Sequence, residues 1–147
     1  MNRREMMMGA GVAALAAMTK VSLADEHHHI HPDGNKNEKL IKASANCIQA
    51  GHRCIHHCLE LLGQGDTEMA ACAISVNQML AICTAVEQLA GFDSKHLPKL
   101  ARVAMDICKE CETECRKHEQ KHAECKACAE ACAVCLEECQ VVAGMTV

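Results

Sequence analysis

Cys125-Lys126-Ala127-Cys128-Ala129-Glu130-Ala131-Cys132-Ala133-Val134-Cys135-Leu136-Glu137-Glu138-Cys139 sets five cysteines at alternating intervals of three and four residues. That is the a/d period of an inward-facing helical stripe, with cysteine where leucine ordinarily sits. Upstream, Cys108, Cys111 and Cys115 repeat the pattern, and His118 continues it. Cys47, Cys54 and Cys58 share one phase with Leu40, Ser44, Gly51 and Leu61. Met69, Cys72, Val76, Met79, Cys83 and Val86 form a fourth series at the same steps. All 13 thiols therefore point toward one axis, and the chain reads as all-α.

Punctuation divides the helices. The segment from Lys39 to about Leu62 stops at Gly63-Gln64-Gly65. Asp66 or Thr67 caps a second helix that runs to about Ala90, where Gly91 ends it. Asp93-Ser94 and Pro98 open a third, which runs to about Lys117. The fourth spans His122 to Val142, before Gly144. A turn near Glu119-Gln120 separates the last two, because one long helix would leave half its apolar stripe uncovered. Short loops join antiparallel neighbours, so residues 39–143 predict an up-down-up-down four-helix bundle with a cysteine-lined core. A second stripe, Ile41, Ile48, Ile55 and Leu62, either seals helix flanks or faces another subunit.

Composition narrows the function. The 147 residues include one Phe, no Trp and no Tyr, with a net charge of −4. Aromatic cores and base-stacking platforms are excluded, and nucleic acid is a poor partner. Residues 1–24 read as a twin-arginine export signal: Arg3-Arg4, a mildly apolar run from Met8 to Met18, then Ser22-Leu23-Ala24. The expectation is an exported, periplasmic protein, with no other stretch apolar enough to cross a bilayer. Removing Arg3, Arg4, Lys20 and Glu5 with the signal takes the charge from −4 to −6. Residues 25–38 read as a flexible, His-rich segment. If cleavage follows Ala24, His27 becomes the third residue, and a free amine, two amides and an imidazole suit square-planar Cu(II) or Ni(II). The other reading of this tail is a polar linker.

The thiols admit three readings besides metal binding. Cysteine packs as a small hydrophobe, but 13 of them with much alanine and no aromatic filler make a thin core. Disulfides leave one thiol over, and pairs at i,i+3 or i,i+4 on one helix do not readily meet disulfide geometry. A two-cluster ferredoxin needs a CxxCxxCxxxCP run that is absent here. Thiolate metal binding remains. Zn²⁺ takes four ligands, so the cysteines would serve about three isolated sites, each carrying −2. Such a column stays anionic inside a bundle. Cu(I) is soft, monovalent and content with two or three thiolates, and one ion per thiolate brings the column near neutrality. The i,i+4 pairs Cys54/Cys58, Cys111/Cys115, Cys128/Cys132 and Cys135/Cys139 sit one turn apart and can clip an ion. Silver or mercury would fit similarly.

These 13 cysteines, with CxxxC in the first, third and fourth helices, resemble the copper storage protein family over about Lys39 to Val142. The resemblance implies a cysteine-lined bundle holding roughly one Cu(I) per Cys, a homotetramer, and copper held for cuproenzymes. In methane-oxidising bacteria the recipient would be methane monooxygenase. It also implies His and Met ligands near an open end, matched best by His57 and Met69. The metal ligands expected are thus Cys47, Cys54, Cys58, Cys72, Cys83, Cys108, Cys111, Cys115, Cys125, Cys128, Cys132, Cys135 and Cys139, with His57 and Met69. His118 and His122 fall at the same mouth and are either ligands or solvated helix-end residues. Leu40, Val86, Leu97 and Val141 read as an apolar plug at the opposite end, and His52, His56 and His96 as surface residues. The alternative function is a thiol-rich detoxification or zinc-buffering protein. No acid pair, phosphate loop or isolated Cys–His arrangement indicates an enzyme.

Overall fold

The computed structural model describes residues Gly34 to Gly144. The export-signal reading of residues 1–24 and the Cu(II) or Ni(II) reading of His27 lie outside them. Four helices follow in order: α1 Glu38–Gly63, α2 Ala70–Gly91, α3 Leu97–Arg116 and α4 Ala123–Val142. A single 3₁₀ turn, Thr67–Met69, precedes α2. No strand occurs among the described residues.

Each boundary has a local cause. α1 closes where Gly65 takes φ 94°, a left-handed position that lets the Asp66 amide reach back to Leu61 O at 3.0 Å. The Asp66 carboxylate accepts from the Glu68 amide at 3.2 Å, capping the 3₁₀ turn. α2 ends at Gly91, where the glycine stop was expected. Gly91 is still helical, and the left-handed residue is Asp93 at φ 49°. Asp93 is held by Lys36 at 2.8 Å and Asn37 at 3.3 Å. The same neighbourhood ties the start of α1 to the end of α2, where Asn35 and Asn37 donate to Ala90 O. Pro98 sits in the first turn of α3, where no amide is needed. Between α3 and α4 the chain turns over 117–121 and becomes extended at His122 (φ −129°, ψ 110°), which breaks the helix without Gly or Pro.

α1 packs on α2 and α4, and α3 on the same two helices, while the diagonal pairs stay apart. The stripe residues fill the space between them, and every cysteine is fully buried. Leu40, Val86, Ala90 and Leu97 close one end. Val141 does not join them: it is 72% exposed. Counting on by three and four from Cys139 reaches Val142 and Ala143, and these are the residues that pack on the core. Ile41, Ile48, Ile55 and Leu62 lie half-buried against the core, so they seal the flanks of α1.

Thr67–Gly91 has a mean hydropathy of 1.7 over its most apolar eighteen residues, long and apolar enough to cross a bilayer. This corrects the expectation that only the N-terminus comes close. Its buried face of Cys72, Val76, Met79, Cys83 and Val86 packs against the other helices, so its apolarity serves the core.

Candidate metal centre

The helical period brings sulfurs together in groups. Cys47, Cys83, Cys108 and Cys135 form one set whose Sγ atoms all lie within 4.8 Å of one another; Cys54, Cys58, Cys72 and Cys125 form a second. Two triplets, Cys54/Cys115/Cys128 and Cys111/Cys128/Cys132, extend the second set through the shared Cys54 and Cys128. Cys47 also meets Cys132 at 3.6 Å, Cys72 meets Cys115 at 3.6 Å, and Cys58 meets Cys72 at 3.7 Å. Twelve of the expected cysteines therefore stand in one connected column. Cys139 lies just beyond it, fully buried one helical turn from Cys135 on α4.

Protons are shared unevenly along the column. Hydrogen bonds from Cys125, Cys54 and Cys72 pull the Cys58 thiol down. Cys128 is pulled down by Cys111, Cys115, Cys132 and Cys54. Cys108 falls to about 6, led by its hydrogen bond with Cys132. The partners move the other way: Cys115 is raised first by Cys111, Cys132 first by Cys108, and Cys139 first by Cys135. A thiolate surrounded by S–H donors is stabilised, but a second buried negative charge beside it is costly. Full ionisation of the column requires cations, and each ion that binds must displace protons.

The mouth gathers imidazoles and a carboxylate. His57 Nε2 lies 2.9 Å from His122 Nδ1, one nitrogen donating according to tautomer, and 3.8 Å from the Glu124 carboxylate. The rings of His118 and His122 are 6.5 Å apart. No histidine nitrogen joins the sulfur groups among the described residues. Met69 is buried at the same end, whereas His52, His56 and His96 are exposed. One sulfur was not among the expected ligands. Met79, fully buried, accepts from the Cys47 thiol at 3.3 Å. Its place in the α2 stripe was legible, but the thiol it faces depends on the register between α1 and α2.

Residues 33–144 match the family model described as copper storage protein. The chain belongs to the copper storage protein family. A curated relative, the uncharacterized cysteine-rich protein YhjQ of Bacillus subtilis, is 33% identical over 107 residues, covering 73% of this chain and 95% of that one. The Cu(I)-bound copper storage protein BsCsp3 matches with TM-score 0.65 and 31% identity, over 73% of this chain and 97% of its own. A cytosolic copper storage protein from Streptomyces lividans, solved during copper loading with five coppers, matches with TM-score 0.66 and 25% identity, over 76% and 94%. The two solved relatives are copper storage proteins and not enzymes. The Streptomyces protein also overturns the expectation of export, since a member sharing this bundle is cytosolic. A reducing compartment keeps thiols free without any need for export.

Proposed function

We propose that this chain stores Cu(I), about one ion per Cys, inside an antiparallel up-down-up-down bundle spanning residues 39–143. The observation that carries this reading is the continuity of sulfur, with neighbouring groups sharing Cys54 and Cys128. Bridging thiolates suit a soft monovalent ion, because each Cu(I) offsets one thiolate. The antiparallel order is supported by contacts whose numbers rise on α1 while falling on α4: Ser44 with Cys135, Cys47 with Cys132, Cys54 with Cys125. The thirteen cysteines are the ligands, and His57 and Met69 complete the set at the mouth. A homotetramer, implied by the resemblance, belongs to this reading too. The store serves cuproenzymes; nothing among the described residues selects methane monooxygenase as the recipient.

A second reading has one observation in its favour. The two four-sulfur sets, Cys47/Cys83/Cys108/Cys135 and Cys54/Cys58/Cys72/Cys125, share no member and have the ligand number of structural zinc. An anaerobic titration of the reduced protein with Cu(I), against a chromogenic chelator, separates the two. Uptake approaching 13 ions, one per cysteine, establishes the store. Saturation near two metals per chain, with zinc preferred, establishes the buffer.

A further inference from the structure

In the α1 and α2 stripes the thiols are interrupted at one level. α1 runs Cys47, Gly51, Cys54, and α2 runs Cys72, Val76, Met79, Cys83. At that level α3 and α4 supply Cys111 and Cys128, with Cys132 grouped beside them, and Met79 brings the remaining sulfur. Glycine inside a helix is unfavourable, and the position of Gly51 shows what it makes room for. A Cβ there would stand 2.6 Å from the Met79 Cε methyl. The absent side chain lets the thioether reach the Cys47 sulfur at 3.3 Å, and Cys47 in turn meets Cys132 at 3.6 Å. Two sulfurs bonded to one ion at about 2.3 Å each can stand up to about 4.6 Å apart, so a single ion can join Cys47 to Met79.

We propose that Met79 is an internal thioether ligand, completing a Cu(I) site with Cys47 in the middle of the column. The inference rests on the storage reading. A thioether is soft and neutral. It releases no proton on binding and adds no negative charge, so it raises the coordination of one ion without disturbing the one-thiolate-per-ion balance. The ion at this site would extend the four-sulfur set that contains Cys47 toward the second set, across the level that α1 leaves without a thiol.

The test loads the reduced, selenomethionine-labelled chain with Ag(I), a diamagnetic soft ion whose two isotopes carry nuclear spin, and records selenium NMR. The resonance missing from Met79→Leu identifies Met79; Met79→Ile gives the same assignment should the first variant not fold. Splitting of that resonance by silver, in a chain that has taken up about one ion per cysteine, is the expected result. An unsplit Met79 resonance in a fully loaded chain overturns the inference and leaves storage intact. A chain that saturates at two or three ions overturns the storage reading, and this inference with it.

Discussion

Gly51 concentrates the residue-scale argument, because two opposing costs meet there. Gly51→Ala gains helix propensity of up to about 1 kcal/mol. The new Cβ would lie 2.6 Å from Met79 Cε and 2.8 Å from Leu80 Cδ2. Both are flexible tips, but Met79 is fully buried and has no solvent to move into. Overpacking of this kind costs about 1–3 kcal/mol, so the variant should lose about 1 kcal/mol net, read as a lower urea midpoint at unchanged slope. The thirteen cysteine positions were legible because burial follows from helical phase alone. Met79 as a partner of Cys47, and His57 as a partner of His122, were not. Each pairing depends on how far one helix slides along another, which spacing within a helix does not encode.

At the scale of the element, α3 carries a buried charge that its own turns neutralise. Glu112 has a side chain 12% exposed and accepts from Arg116 at 2.9 Å and Lys109 at 3.1 Å, four and three residues away. Burial pushes its carboxyl up, and the two cations more than reverse this, holding it below the usual range. A folded pKa below the unfolded one means the contribution is present above about pH 4.3 and is lost as pH falls through the folded value. Because Arg116 and Lys109 are 43% and 65% exposed, solvent screens the pairs. Glu112→Gln should therefore cost only about 1 kcal/mol at pH 7, and urea unfolding curves of variant and parent should converge near pH 3. Helix limits were read closely wherever glycine marks a stop, as at Gly63-Gln64-Gly65. The end of α2 at Gly91 was read too, but not the left-handed turn residue beyond it, since Asp93 takes a conformation that favours glycine, held there by Lys36 and Asn37. Val141 was misplaced for a related reason. It lies two residues past Cys139, which turns it away from the face that Cys139 occupies.

For the whole molecule, what decides between copper and zinc is the charge that a thin, sulfur-filled core can hold. The empty column keeps most thiols neutral, because only a few positions such as Cys58, Cys128 and Cys108 favour the thiolate. Exchanging one proton for one Cu(I) at each neutral thiol leaves the interior charge unchanged, and Cu(I) at a position already ionised cancels one negative charge. The fully copper-loaded chain should therefore keep the sequence-based isoelectric point near 6.2, which exposed groups set. Zinc at the two four-sulfur sets would displace four protons for every two positive charges, leaving each set at −2. That load adds about four negative charges to a chain whose net charge is only −4. Isoelectric focusing under nitrogen, with metal content measured on the excised bands, separates the two. Copper at one ion per cysteine should leave the band at, or slightly to the basic side of, where the reduced apo-protein runs, and an acidic displacement that scales with copper content would show thiolates ionised without a cation to offset them. Proton release during loading checks the same balance independently. It should approach one proton per Cu(I) at the thiols that start neutral, with the lowered thiols releasing fewer, and should fall further as pH rises.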